Sequence, residues 1–217
     1  MSLLTVIGQL MSGMGMTCAI FFLTLLFSLP LGLVVALLRM HRNKVISVIT
    51  RVYISIMRGT PLMLQVIVVY FAPYYVFRVQ ISQSYRFAAV IIAFVLNYAA
   101  YFAEIYRSGI QSVPQGQYEA AQVLGYSHSQ TFLRIIVPQV WKRVLPAVTN
   151  EVVTLVKDTS LSFAIAEAEM FTIAKQISSK VASIWPLLAA GLFYYIFNLL
   201  VVLVCSRVEK HYSYYKI

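Results

Sequence analysis

The chain has 217 residues, of which 60% are hydrophobic and only 11% charged, and its mean hydropathy is +0.80. Soluble domains carry about a quarter charged residues, so this composition excludes a water-soluble globule and points to helices in lipid. No alternating ten-residue strand pattern suggests an outer-membrane barrel. The net charge of +10 is dispersed among apolar runs and does not form the basic face that a nucleic-acid partner would need.

A spanning helix needs about 20 mainly apolar residues, and five stretches qualify. Thr17 to Leu38 is uncharged, with Pro30 as an expected kink. Thr60 to Phe77 is just long enough. Phe87 to Tyr106 holds Glu104 near its end, and Val144 to Ile165 holds Glu151, Lys157 and Asp158. Ile184 to Cys205 is uncharged. No basic leader precedes the first run, so the N-terminus is expected to stay on the protein. The sequence predicts an all-α integral membrane protein, a single transmembrane domain over 1–217 with five helices.

Positive residues orient the spans. Arg39, Arg42, Lys44 and Arg51 follow the first span, and Arg107, Arg134, Lys142 and Arg143 follow the third. Arg207, Lys210 and Lys216 lie in the tail. These eleven oppose four, Arg78, Arg86, Lys175 and Lys180, in the other links. The N-terminus is therefore expected outside and the C-terminus in the cytoplasm.

Span two is punctuated by Arg58-Gly59-Thr60-Pro61. Pro61 removes a backbone donor and frees the carbonyl four residues earlier, so a kink or a broken helix is expected. Gly59 and Thr60 could then turn backbone groups toward a ligand carboxylate, as broken helices do in transporters. The aromatic cluster Tyr70, Phe71, Tyr74, Tyr75 and Phe77 reads as an interfacial belt or an outer gate.

In span three, Asn97 and Glu104 are seven residues apart and share a face. A mid-span amide should line a cavity or cross-link helices, and Glu104 should pair with Arg107 or Arg58. In span four, Glu151 and Asp158 are likewise two turns apart. Each could face a cavity and meet a substrate cation, or pair with Lys157, Arg58 or a basic residue of a twin subunit. The helix should loosen around Lys157-Asp158-Thr159-Ser160. Cys18, Cys205 and the three histidines show no disulfide or metal-ligand spacing.

Between spans three and four lies a polar stretch far longer than a turn, "GQYEAAQVLGYSHSQTFLRIIVPQ", Gly116 to Gln139. A short helix is expected from Gln117 to Tyr126, ended by Gly125 in a left-handed cap. Tyr118, Ala121 and Leu124 should line one face. A second short segment runs from Ser129 to Val137 before Pro138. An isolated helix of this length is marginal, so it must lie on the bilayer surface, on its own membrane domain or on a partner.

The stretch closely resembles the EAA loop of ABC importer permeases. Glu119, Ala120, Ala121 and Gly125 occupy the positions of that motif, and Pro138 ends it. "RGTPLMLQ" (Arg58 to Gln65), "AAYFAEIYRSGIQSV" (Ala99 to Val113), "LPAVTNE" (Leu145 to Glu151) and "LVKDTSL" (Leu155 to Leu161) resemble the polar amino acid subgroup, the histidine, arginine, glutamine and cystine type. The resemblance implies that the loop is a cytoplasmic coupling helix between helices three and four, docking on an ATP-binding cassette subunit. It also implies an extracytoplasmic amino acid-binding protein, a second permease copy or a paralogue, and a bacterial cell (inner) membrane. Asn97, Glu151, Thr60 and Asp158 become the candidate substrate ligands.

No G-x-x-x-x-G-K-[ST] loop is present. The chain is therefore expected to be no enzyme and to hold no cofactor, with ATP and magnesium on the partner. A proton-coupled secondary transporter using Glu151 and Asp158 is the first alternative, and the membrane domain of an exporter or sensor is the second. The tyrosine-rich tail "HYSYYKI" suggests headgroup anchoring only.

Overall fold

The computed structural model describes residues 3–212, so Tyr215, Lys216 and Ile217 of the tail lie outside the described residues. Among the described residues every regular element is helical. The order is α1 (Leu3–Arg39), α2 (Lys44–Gly59), α3 (Leu62–Phe77), α4 (Tyr85–Gln111), α5 (Gln115–Val123) and α6 (His128–Thr131). A π-helical turn (Phe132–Ile136) leads into α7 (Val137–Asp158), a 3₁₀ segment (Thr159–Ile165), α8 (Met170–Val181) and α9 (Trp185–Tyr212).

Three of these helices, α1, α4 and α9, are long and apolar enough to cross a membrane, and the bent pair α2–α3 qualifies jointly. Helix α7 has the length, but Lys142, Arg143, Glu151, Lys157 and Asp158 lower its hydropathy. The first helix begins at Leu3, well before the predicted Thr17. Its early residues are interspersed with Gly8, Gly13 and Gly15, which mask the helical pattern in the sequence.

Helix α4 is the centre of the bundle. It buries Ala93, Phe94, Asn97, Tyr98, Ala99, Ala100, Phe102 and Ala103, and it packs on α1, α2, α3 and α7. Small side chains allow this, since close backbone approach is how helices associate where lipid is as apolar as leucine. The narrowest point is Gly109. A Cβ added there would stand 2.2 Å from Val144 Cγ1 on α7.

Helix α8 is held on the other side of α1. Its N-cap is Glu169, fully buried, whose carboxylate accepts from the backbone N–H groups of Phe171 (2.7 Å) and Thr172 (2.6 Å), from Thr172 Oγ1 (2.8 Å) and from the Tyr194 hydroxyl (2.8 Å). These bonds satisfy the free donors of the first turn. Burial nevertheless pushes the Glu169 carboxyl above the usual carboxylate range.

The packing at Gly109 makes a direct prediction. Gly109→Ala should lower the melting temperature of the detergent-solubilised protein, with a loss of about 1–3 kcal/mol for overpacking. Gly8→Ala, with nothing within 4 Å of the new Cβ, should leave it unchanged or raise it slightly, since alanine favours a helix over glycine by up to about 1 kcal/mol. Equal melting temperatures for both variants would overturn the close α4–α7 contact.

Candidate functional site

The site begins with Pro61. Proline cannot donate to the carbonyl four residues before it, which is that of Met57. The chain breaks there, and α2 and α3 meet at 111°, far more than a proline kink in a continuous helix. The freed Met57 carbonyl accepts from Gln65 Nε2 (2.9 Å) and from Asn97 Nδ2 (2.9 Å). Asn97 Nδ2 also donates to Gln65 Oε1 (3.0 Å), while Gln65 Nε2 reaches Thr60 Oγ1 (2.8 Å). Thr60 Oγ1 itself donates to the Ile56 carbonyl (2.8 Å). The break is thus sewn shut by side chains from both sides of it and from α4.

Asn97 was open to two readings, cavity lining or cross-linking of helices, and it does both. Both hydrogens of its amide nitrogen are engaged with α2 and α3, so Oδ1 is the part that a ligand could use. Gln65 escaped sequence reasoning. The signal was its position four residues after Pro61, one turn into α3, where a long amide can turn back onto the broken end.

Opposite this knot stands the end of α7. Glu151, Thr154 and Asp158 follow one another at intervals of three and four residues, and with Thr60, Pro61, Leu62, Asn97, Tyr98, Tyr101 and Leu161 they line a cavity of ≈ 300 Å³. All four predicted ligands, Asn97, Glu151, Thr60 and Asp158, therefore meet in one place. Asp158 does not pair with Lys157. Its Oδ2 accepts from the hydroxyl of Tyr98 at 2.7 Å, a partner on α4 that the sequence did not single out. Glu151 has no side-chain hydrogen bond or ion pair among the described residues. As expected, the helix loosens after Lys157, with α7 giving way to the 3₁₀ turn at Thr159.

Glu104 takes the structural role foreseen for it. Arg107 Nε donates to both of its oxygens (3.2 and 3.1 Å) and Nη2 donates to Oε2 at 2.6 Å. Around this pair, a second and wider hollow of ≈ 560 Å³ opens between α4 and α7, with Arg58, Arg143, Ser108 and Ser112 in its wall. Tyr101 and Glu151 belong to both spaces.

The polar stretch folds as a helix over Gln115–Val123, two residues earlier at its start and three at its end than predicted. Gly125 has φ +80°, and Tyr126 N–H bonds back to the Ala121 carbonyl (3.0 Å), the left-handed cap anticipated at this glycine. Ala121 is buried, and burial pushes the half-buried Tyr118 phenol up. Leu124 is 74% exposed and does not share their face. It sits at the C-cap, where the backbone leaves the helix. Glu119, Ala120 and Gly125 are exposed. The next helix starts with a capping box. Ser127 Oγ accepts from Gln130 N–H (3.3 Å), and Gln130 Oε1 accepts from Ser127 N–H (2.9 Å).

A broken helix, a polar cavity deep in an apolar bundle and a short helix with bare apolar residues at its end define a membrane transport component. The chain belongs to the family described as the binding-protein-dependent transport system inner membrane component, whose model matches residues 28–214. As a member it is a transport subunit and not itself an enzyme.

It is 33% identical over 202 residues to the arginine transport system permease protein ArtQ of Bacillus subtilis (strain 168), covering 93% of this chain and 91% of that one. To the L-cystine transport system permease protein TcyB of the same organism it is 36% identical over 171 residues, 79% of this chain and 71% of that one. Its structure superposes with a TM-score of 0.87 on a chain of an amino acid ABC transporter crystallised with histidines, at 31% identity, covering 97% of this chain and 99% of the other.

The amide knot can be tested by a double-mutant cycle on stability. Asn97→Ala and Gln65→Ala should each cost about 1 kcal/mol, since the Met57 carbonyl keeps one partner. The double variant should cost more than the sum, because the carbonyl is then buried unpaired at about 1–3 kcal/mol. Strict additivity of the melting shifts would show that the two amides do not share an acceptor.

Proposed function

We propose that this chain is the membrane-spanning permease of an ATP-driven importer for polar amino acids, one domain over 1–217. Five crossings, α1, the bent α2–α3 pair, α4, α7 and α9, are too few to enclose a path, so a second copy or a paralogue completes it. The N-terminus lies outside and the Arg-rich ends lie in the cytoplasm. A cytoplasmic ATP-binding cassette subunit supplies energy, holding ATP and magnesium, and an extracytoplasmic amino acid-binding protein supplies substrate. The placement is the bacterial inner membrane.

The observation that carries this reading is the convergence of Asn97, Thr60, Glu151 and Asp158 on one small cavity at the start of α3. The cavity is dipolar in the way an amino acid is. Two carboxylates on α7 suit an ammonium or a cationic side chain, and the N-terminal end of α3, with its free N–H groups and positive dipole end, suits a carboxylate. A proton-coupled carrier has less support, because Asp158 already accepts a hydrogen bond from Tyr98 and the family works with a binding protein.

Helix α5 is the coupling helix, with Glu119, Ala120, Ala121 and Gly125 at the contact. Val123, 88% exposed, and Leu124 present apolar side chains that nothing among the described residues covers. The positive φ of Gly125 sets the angle at which the chain leaves this helix, and the space around its Cα is open. Motion of the partner reaches Glu151 and Asp158 through the π turn and α7, which follow in one continuous rod.

Three results are expected in proteoliposomes holding the permease with its ATPase and binding protein. Wild type should take up at least one of L-arginine, L-histidine and L-cystine only when ATP is supplied. Uptake driven by a proton gradient without ATP would replace this mechanism with the proton-coupled one. Gly125→Asp should hydrolyse ATP without accumulating substrate, since a charged side chain strained at φ +80° obstructs docking; normal coupled uptake would remove α5 from the interface. Glu151→Gln should weaken substrate affinity about tenfold, one charge-assisted contact. Unchanged affinity for every substrate would take Glu151 out of the site.

A further inference from the structure

The two hollows on α4 and α7 are stages of one furrow. Along α4 its wall is Asn97, Tyr101, Glu104, Ser108 and Ser112, and along α7 it is Asp158, Thr154, Glu151, Ala147 and Arg143. Successive members are three or four residues apart, so each set is a single helical face. The helices run antiparallel, so the two faces descend together for about 22 Å, fifteen residues of α-helix. Tyr101 and Glu151 stand where the inner cavity meets the wide one.

Charge changes sign along the furrow. The inner end has carboxylates, Asp158 and Glu151, and the wide end has the guanidinium groups of Arg58, Arg107 and Arg143. Two of these three are already engaged. Arg107 holds Glu104 and Gln111, and Arg143 Nη1 donates to the backbone carbonyl and hydroxyl of Ser112. Among the described residues, Arg58 has no carboxylate within ion-pair distance. Its guanidinium lies over the Tyr101 ring, 5.1 Å from the centroid, and its side chain is exposed to the hollow. Among the described residues the N–H groups of this guanidinium make no hydrogen bond, so its fork is open, the part that fits a carboxylate. Arg58 also sits in the last turn of α2, three residues before Pro61, and lines the wide hollow beside Tyr101 and Glu151, the two residues that the hollow shares with the inner cavity.

We propose that the wide hollow is an exit subsite, in which the Arg58 fork takes the α-carboxylate of the departing amino acid while Glu151 still holds its ammonium group. This rests on the amino acid reading above and adds to it a second resting place for the substrate. The zwitterion slides by exchanging only its carboxylate partner, from the start of α3 to Arg58, so it is never without both counter-charges in a low-dielectric passage. Glu151 serves both positions because it belongs to both walls. The residues beyond, Ser108 and Ser112, provide hydroxyls toward the wide mouth.

The test compares an amino acid with its α-amide, which lacks only the carboxylate charge. The purified permease–ATPase complex, without nucleotide and without binding protein, is titrated with the amino acid that it transports and with the matching amide: L-argininamide, L-histidinamide or L-cystine diamide. Wild type should favour the acid about tenfold, one charge-assisted contact.

Arg58→Gln should lose that preference by weakening the acid and leaving the amide unchanged, and Arg58→Lys should keep part of it. A merely structural role for Arg58 would weaken acid and amide alike, and that result overturns the proposal. So does a wild type that binds both equally, or an Arg58→Gln complex that retains the preference. Poor folding of Arg58→Gln would show as loss of the monodisperse complex, in which case Arg58→Lys decides: full loss or full retention of the preference in that variant sinks the subsite. If wild type neither binds nor takes up any of the three amino acids or L-glutamine, the substrate class itself has failed and the exit subsite fails with it. ATP-driven uptake together with an Arg58-independent preference rejects only the subsite.

Discussion

A single backbone carbonyl, that of Met57, organises the inner cavity. Pro61 deprives it of its helical donor, and in an apolar bundle an unpaired carbonyl is costly. Two side-chain amides supply what the helix withdrew, Gln65 from one turn beyond the break and Asn97 from α4. That solution forces several features at once. It holds α2 and α3 at a steep angle, ties both to the central helix, and leaves the start of α3 facing Glu151 and Asp158. Irregular backbone at membrane depth is tolerated only where protein or a polar cavity covers it, and here the cover and the cavity are built from the same residues.

The central helix carries two kinds of face. One is made of alanines and Gly109, and lets α1 and α7 come close enough to fix distances. The other is polar at every turn, from Asn97 through Tyr101 and Glu104 to Ser108. Rigid placement of the first gives the second its geometry, because side chains on a tightly held helix keep their spacing to the opposing wall on α7. Tyr98 joins the two roles. It is buried in the core, yet its hydroxyl reaches out to fix Asp158.

Between the short loop helix and the cavity-lining α7 the helix type changes. Pro138 lacks an N–H, and the turn before it widens so that Val137 N–H reaches back five residues to Phe132. Gln139 Nε2 also donates to the Ile135 carbonyl at 3.0 Å. A π turn is a strained insertion often found at functional positions. Here it stands between the exposed helix α5 and the helix that bears both cavity carboxylates.

The sequence by itself determined the class of protein, because composition, apolar run length and proline placement act locally. It located the helix break at Pro61, the cap at Gly125 and the loosening at Lys157–Ser160, since each follows from a backbone donor, a φ angle or a charge within a few residues. It also put Asn97, Glu151, Thr60 and Asp158 among the candidates, because polar groups in apolar runs are conspicuous.

It did not give the start of α1, where glycines mask the pattern, nor the exposure of Leu124. Above all it did not choose among partners. That Asp158 takes Tyr98 and not Lys157, that Asn97 serves Met57 and Gln65, and that Arg58 lies over Tyr101 are facts about residues 30 to 60 positions apart. Periodicity places each on a face of its own helix; only the packing of α2, α3 and α7 around α4 decides which faces meet.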